Sequence, residues 1–254
     1  DRILSLNKVK YALLNKYLDK VDLISVEQKV LFEKLKSILP TQANKMINIP
    51  NGVDYKYLEN KDIKYNFAEK ENTILSVTRV GAEEKNTQML IEAFTSIENI
   101  ETLGWKLKIV GPIEEEFNEY INNYFKNNPK MKDIVIFTGA IQNREELFNE
   151  YKKAKIFSLT SNFESFGIAF IEAASLGDVI ISTDVGIAKE LISKGNGAVV
   201  DTEDVEALKR ELKKYMLKDN LKNDSEITYE IARENFDWDN IINKLNHSIS
   251  KFFK

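Results

Sequence analysis

Two glutamates and the loop before them are the first residues in the sequence that could do chemistry. The stretch Leu159–Ala174, LTSNFESFGIAFIEAA, contains Glu164 and Glu172, eight positions apart. An apolar run at 155–159 predicts a buried strand, and a helix is predicted to begin near Gly167. A helix that begins beyond the end of a strand directs unpaired backbone N–H groups at whatever lies there, and a phosphate suits that place. Because Gly167 has no Cβ, a ligand can approach its backbone closely.

The helix predicted after this loop places one glutamate at the edge of its apolar face. Ile168, Ile171 and Ala174 have the spacing of a single core-facing stripe. Glu172 follows Ile171 directly, so its carboxylate falls beside that stripe. We therefore expect Glu172 to be half-buried with a partner or to line the wall of a cleft.

Two cations follow another apolar run, at 74–77. Arg79 is predicted at the carboxyl end of that strand, and Lys85 at the opening of the next helix. The helix dipole disfavours a lysine there, and a nearby anion would offset that cost. Two such cations facing a helix N-terminus would suit a diphosphate. Lys85 alone is better explained as a solvated surface charge, but the pair together with both glutamates favours a functional site.

The loop and helix resemble the E-x7-E signature of retaining glycosyltransferases of the GT-B class, family 4. The matching positions are Leu159, Ser161, Glu164, Phe166, Gly167 and Glu172. Thr160 stands where the family commonly has Pro, and Ser165 where it commonly has Gly, and neither departure removes a carboxylate. The two cations resemble the Arg-x5-Lys pair of the same family, which holds the donor's pyrophosphate and neutralises the leaving group.

The resemblance also implies a role for each candidate residue. Glu164, Arg79 and Lys85 would be catalytic, with Glu164 contacting the hydroxyls of the donor sugar. Glu172 would accept hydrogen bonds from the ribose. The remaining donor-binding candidates are Gly167 and Ile168 through their amides, Phe166 in the motif, and Gly139 and Ile141 in a turn against the nucleobase. No metal and no cofactor is implied, because the two cations already meet the charge of the diphosphate.

Composition excludes several other classes of protein. The chain has 254 residues and a net charge of -4, which gives no reason to expect nucleic-acid binding. It has no cysteine and a single histidine, His247, so disulfides, thiol catalysis and multi-histidine metal sites are excluded. No apolar stretch approaches the ~20 residues that span a bilayer. A dinucleotide oxidoreductase is disfavoured, since no G-x-G-x-x-G follows a predicted strand.

Strands and helices alternate in the pattern, which predicts the fold. Six apolar runs alternate with helical stretches from residue 73 onward, at 74–77, 107–110, 134–137, 156–159, 179–181 and 198–200. Such alternation predicts an α/β fold, a Rossmann-like parallel sheet with helices on both faces. Ligands of such sheets bind beyond the carboxyl ends of the strands.

The resemblance divides the chain into two parts. Residues 1–50 are expected to be the last elements of a truncated N-terminal, acceptor-side domain with its linker. Residues 51–254 would be the C-terminal domain that binds the nucleotide sugar, ending in a crossing helix at about 238–253. The missing half would supply the acceptor site.

These observations favour the donor-binding part of a retaining glycosyltransferase that transfers a hexosyl or N-acetylhexosaminyl group. A UDP-linked sugar is the default donor, and the acceptor would be a glycan, a lipid-linked glycan or a protein. A cytoplasmic location is expected, with any contact to the inner membrane face made through the missing domain. Two alternatives remain open: a non-catalytic subunit that binds a nucleotide sugar for a partner, and a sugar-nucleotide epimerase of the same fold. The epimerase would be expected to have a histidine-centred site, and the sequence offers only His247.

Overall fold

The structure, a computed structural model, describes residues 7–252 and divides the chain into two compact units. One unit combines the residues up to 52 with those from 236 onward, and the other comprises Val53–Asn235. The candidate site residues all belong to the second unit.

The first unit is small and mainly helical. Its helices are α1 (Lys8–Leu18) and α2 (Lys29–Ile38), with a C-terminal helix, α11 (Trp238–Phe252). Two short strands, β1 (Ile24–Val26) and β2 (Met46–Asn48), pair in parallel. Parallel pairing needs a crossover, and α2 lies in the connection. The assignment of this unit to an N-terminal acceptor-side domain stays a prediction.

The second unit is built on one six-stranded parallel sheet in the order β5-β4-β3-β6-β7-β8. The strands are β3 (Glu71–Val77), β4 (Lys106–Val110), β5 (Val135–Gly139), β6 (Ala154–Phe157), β7 (Val179–Thr183) and β8 (Ala198–Val200). Each overlaps one of the six apolar runs, because a strand covered on both faces carries apolar residues in succession. The central β3 is the first of these strands in the chain and has β4 on one side and β6 on the other.

Helices cover the two faces of this sheet. They are α3 (Tyr55–Asn60), α4 (Thr87–Thr95), α5 (Glu115–Asn127), α6 (Arg144–Lys153), α7 (Ile168–Ala174), α8 (Ala188–Leu191), α9 (Val205–Met216) and α10 (Leu221–Asn235). Helix α4 packs on α9, and α7 packs on both α6 and α10. The structure confirms the predicted α/β fold with a parallel sheet between helices.

A buried ion pair joins the amino-terminal edge of the sheet. Lys70, just before β3, donates to Asp178, just before β7, across 2.6 Å, and neither side chain is exposed. The same ammonium donates to the carbonyl of Ala154 at 2.6 Å and to that of Tyr151 at 3.3 Å. Burial raises the pKa of the Asp178 carboxyl to about 7, although Lys70 acts in the opposite direction. The pair thus links three neighbouring strands across the central part of the sheet.

Among the described residues, no helix combines the length and the apolar composition needed to cross a membrane.

Candidate functional site

The candidate site lies where the order of the strands reverses. The chain adds β4 and β5 on one side of β3 and then returns to add β6 on the other side. The loops that follow β3 and β6 are therefore neighbours at the carboxyl edge of the sheet, although they lead to strands on opposite sides. In open parallel sheets the ligand crevice forms at such a point. Two hydrogen bonds join these loops: the N–H of Asn162 donates to the carbonyl of Glu84 at 2.9 Å, and the hydroxyl of Thr160 to that of Asn86 at 2.9 Å.

Lys85 and Glu164 meet across this crevice. The Lys85 ammonium lies 2.7 Å from a carboxylate oxygen of Glu164, and the side chains are 21% and 13% exposed. The hydroxyl of Ser161 donates to the same oxygen at 2.8 Å. The prediction that Lys85 opens a helix is wrong: it ends a 3-10 turn at Glu83–Lys85, and α4 begins only at Thr87. The residue between them, Asn86, is left-handed at φ 42°, which separates the two helical segments.

A turn at residues 186–187 contacts the loop that carries Glu164. The N–H of Ile187 donates to the carbonyl of Phe166 at 3.1 Å. Gly186 has φ 55°, and a Cβ there would lie 2.3 Å from the same carbonyl oxygen. The Phe166 side chain is 2% exposed and packs in the core, and its assignment to donor binding stays a prediction. Phe166 anchors the loop that carries Glu164.

Arg79 lies apart from the Lys85–Glu164 pair. Its guanidinium forms ion pairs with Glu84 and, at 3.4 Å, with Glu114, and its side chain is 53% exposed. Exposed ion pairs of this kind contribute little to stability. Arg79 is therefore held loosely enough to exchange its carboxylate partners for a ligand anion.

Helix α7 begins after Gly167, close to the predicted position. Gly167 is left-handed at φ 84°, and a Cβ there would lie 2.6 Å from Cδ2 of Phe170. The prediction of a core-facing stripe is wrong at its first member, because Ile168 is 54% exposed while Ile171 and Ala174 are buried. The left-handed turn at Gly167 sends the chain into the helix with its first side chain directed outward.

Glu172 is held by two partners that the sequence did not identify. The hydroxyl of Tyr151 donates to its Oε2 at 3.1 Å, and the guanidinium of Arg144 to its Oε1 at 3.4 Å. Burial raises the pKa of the Glu172 carboxyl, and Arg144 and the Tyr151 hydroxyl oppose that shift. The expectation of a half-buried carboxylate with a partner matches this arrangement.

A cavity of about 260 Å³ lies at the carboxyl ends of β3, β4 and β5. Its lining includes Thr78, Gly111, Ala140, Ile141 and Gln142. Gly139 precedes it at φ 72°, with no atom within 4 Å of the place a Cβ would occupy. Ile141 and Gly139 thus lie at the same edge as the Lys85–Glu164 pair.

A second cavity, of about 540 Å³, is lined by α3, Tyr65, Tyr229 and the end of α7, and by none of the predicted site residues. Residues 7–252 contain no group of three His, Asp or Glu side chains placed to hold a metal ion.

Solved structures of other proteins share this fold. The sucrose-phosphate synthase of Thermosynechococcus elongatus superposes with a TM-score of 0.72 at 20% identity, covering 100% of this chain and 64% of that one. The pneumococcal O-GlcNAc transferase GtfA, solved with UDP and GlcNAc, gives a TM-score of 0.70 at 19% identity, covering 92% of this chain and 46% of that one. Both are GT-B glycosyltransferases in fold, and at these identities the likeness concerns the fold alone.

Sequence comparison adds a more specific likeness. A probable sucrose-phosphate synthase of Thermosipho melanesiensis is 28% identical over 240 residues, 90% of this chain and 54% of the relative. The chain thus spans about half the length of that curated relative. The family model described as glycosyl transferases group 1 matches residues 59–234, which include both glutamates, both cations and the entire sheet. This chain belongs to the glycosyl transferases group 1 family.

Proposed function

We propose that this chain is the donor-binding half of a retaining glycosyltransferase of family 4, which takes a sugar from a nucleoside diphosphate sugar. The observation that carries the proposal is the Lys85–Glu164 pair, held at 2.7 Å where the strand order of the parallel sheet reverses. A cation and a carboxylate side by side suit a ligand with an anionic diphosphate next to a hydroxyl-rich sugar. UDP is the proposed nucleotide, supported by the UDP in the structure of the pneumococcal transferase.

The charges of the reaction fit these residues. When the bond between the anomeric carbon and the diphosphate oxygen breaks, its electron pair stays on the oxygen. Lys85 and Arg79 would neutralise that developing anion, with the first amides of α7 at Gly167 and Ile168. The acceptor oxygen then bonds to the anomeric carbon from the leaving group's own face, and its proton passes to the departing diphosphate. Glu164 would bind the sugar hydroxyls, and no covalent intermediate on it is needed.

The remaining candidate residues would bind the nucleoside of the donor. Glu172 would accept hydrogen bonds from the ribose, and the cavity beside Ile141 and Gly139 would take the base. The two cations Lys85 and Arg79 are sufficient for the diphosphate charge, so the proposal includes no metal and no cofactor besides the donor.

The part of the proposal that concerns the acceptor is based on the chain's membership of the glycosyl transferases group 1 family. The transferred group would be a hexose or an N-acetylhexosamine, and the acceptor a glycan, a lipid-linked glycan or a protein. We place the enzyme in the cytoplasm, with any contact to the inner membrane face made by a domain outside this chain. The acceptor site would belong to that same domain.

A thermal-shift panel with UDP, GDP, ADP and their sugar conjugates tests the donor site. A ligand at 100 times its Kd adds roughly 2.7 kcal/mol, which raises the melting temperature of a domain this size by about 5 to 10 °C. We expect a shift for UDP compounds that Arg79→Ala loses and Arg210→Ala, on the exposed face of α9, retains. A chain that responds to no nucleotide, both alone and within the full-length protein, would refute the proposal.

A further inference from the structure

The carboxylate of Glu172 is held from two different sides. Tyr151 occupies Oε2 and Arg144 occupies Oε1, at 3.1 and 3.4 Å. The two partners differ in exposure: Tyr151 is fully buried, whereas the Arg144 side chain is 60% exposed. One partner is therefore buried in the core, and the other is largely exposed and lies over the ring of Phe148, with its guanidinium carbon 5.2 Å from the ring centroid.

The packing around Tyr151 holds its hydroxyl, the hydrogen-bond donor to Glu172, in a fixed position. Its ring lies in an aromatic row, with centroids 5.8 Å from those of Phe148 and of Phe157. Its backbone carbonyl accepts a hydrogen bond from the buried Lys70 ammonium at 3.3 Å. Burial raises the pKa of the Tyr151 phenol well above its ordinary value, so the hydroxyl stays protonated and donates at any physiological pH.

The second oxygen of Glu172 contacts a residue close to the carboxyl edge of the sheet. Arg144, which donates to Oε1, is the first residue of α6 and follows closely after Ile141 and Gln142 in the cavity lining. The partner of Oε1 therefore comes from the end of the loop after β5, the loop that also lines the cavity proposed for the base.

We propose that Tyr151 is a positioning residue, which fixes Oε2 of Glu172 so that Oε1 accepts hydrogen bonds from the vicinal diol of a ribose. Arg144 is the partner that the diol replaces. This inference rests on the proposed function, since it assigns Tyr151 to the same donor site. Burial raises the pKa of Glu172, and the two groups that oppose this shift, Arg144 and Tyr151, are both on α6. Asp178, just before β7, acts on Tyr151.

Tyr151→Phe tests the inference, because it deletes the hydroxyl and keeps the ring. Binding is measured by calorimetry for UDP and for its 2′,3′-dideoxy analogue, in the wild type and the variant. The wild type is expected to prefer UDP, and the variant to lose about tenfold in UDP affinity, the scale of one hydrogen bond to a charged group. Its affinity for the dideoxy analogue should stay unchanged, so that the preference between the two ligands largely disappears.

Tyr215→Phe is the matched control. The Tyr215 hydroxyl is also shielded and donates to the carbonyl of Gly197 at 2.8 Å, away from every site residue. Its removal is expected to leave both affinities unchanged. The pH profile separates positioning from packing: without the Tyr151 hydroxyl the pKa of Glu172 rises further, so the small preference for UDP that the variant retains is lost at a higher pH than the larger preference of the wild type.

Two further variants keep the test decisive if Tyr151→Phe folds poorly. Arg144→Ala is expected to retain the preference for UDP, and its loss would overturn the inference. In a cycle with Glu172→Gln, the effect of Tyr151→Phe on UDP affinity should vanish. A wild type that binds UDP and a Tyr151→Phe variant that discriminates equally well would refute the positioning role. A wild type that binds no nucleotide would instead refute the proposed function.

Discussion

The ammonium of Lys85 lies 2.7 Å from the carboxylate of Glu164, a residue 79 positions further along the chain. The contact exists because β3 and β6 are neighbours in the sheet although β4 and β5 separate them in sequence. Each half of the sheet therefore contributes one member of the pair. The charges are shielded from solvent on most of their surface, which strengthens their attraction relative to a surface pair.

Lys85→Met tests the importance of this pair. The change leaves the half-buried Glu164 carboxylate with Ser161 but without its cation. We expect a loss of roughly 1 to 3 kcal/mol in the free energy of unfolding and the loss of the stabilisation by UDP. Urea denaturation with and without UDP measures both. Lys130→Met, at an exposed lysine outside the site, should change neither.

A comparison of two glycines tests the entry to α7. Both are left-handed, but a Cβ at Gly167 would lie 2.6 Å from Phe170, whereas one at Gly139 would meet no atom within 4 Å. Gly139→Ala should cost only the backbone strain of about 1 to 2 kcal/mol. Gly167→Ala should cost roughly 1 to 3 kcal/mol more because Phe170 must move. Equal losses in urea denaturation would contradict the contact at Phe170.

Lys70→Met tests the buried ion pair. Removing one member of a buried pair typically costs about 3 to 5 kcal/mol, because the remaining charge has no partner. Adding Asp178→Leu should recover part of this loss, since the unpaired carboxylate is then gone. The carbonyls of Tyr151 and Ala154 have still lost a donor, so recovery should be incomplete.

The free energies of unfolding of wild type, single and double variants measure these effects, with Lys126→Met, at an exposed lysine of α5, as the control. A single variant as stable as the wild type would show that the Lys70–Asp178 pair contributes nothing to the fold.

Glu172→Gln should alter stability in a pH-dependent way. Because burial raises the pKa of Glu172 in the folded chain, its neutral form favours folding. That contribution is complete below the ordinary pKa of 4.5 and is lost as the pH rises through the raised value. The neutral amide avoids the loss, so the melting temperature of the variant relative to the wild type should fall as the pH is lowered from 8 to 4. A difference that does not vary with pH would show that Glu172 is not destabilised by its charge.

The same substitution should weaken UDP binding at neutral pH, because a carboxylate accepts hydrogen bonds more strongly than an amide. A variant that gains stability at high pH and loses affinity would mark Glu172 as a residue kept for function at a cost in stability. Calorimetry with UDP at pH 7.5 measures the affinity.

The fold was predictable from the sequence to a large extent. Each of the six apolar runs overlaps a strand, since burial on both faces leaves a continuous signal that does not depend on distant residues. Glu164 and Lys85 were predictable in part, because residues after parallel strands gather at one edge. Their direct contact depends on the strand order, which the apolar pattern does not give.

The errors and omissions have identifiable physical causes. The helical spacing predicts Ile168 in the core, because it does not reveal that Gly167, just before α7, is left-handed. The sequence indicates only a core aromatic residue at Tyr151, because its hydroxyl reaches Glu172 only when α7 packs on α6. The partners Lys70 and Asp178 are 108 positions apart, so no local pattern connects them.

The strand order also has a consequence during synthesis on the ribosome. Of the six strands in this sheet, the central strand β3 is made first, and β6, which pairs with its second edge, follows much later. At 5 to 20 residues per second, the 79 residues from Lys85 to Glu164 take roughly 4 to 16 seconds to emerge. Throughout that interval the nascent chain presents an unpaired strand edge, to which other chains can bind. The boundary between β3 and β6, beyond whose carboxyl end the two charges meet, is thus also an edge that is open to aggregation during synthesis.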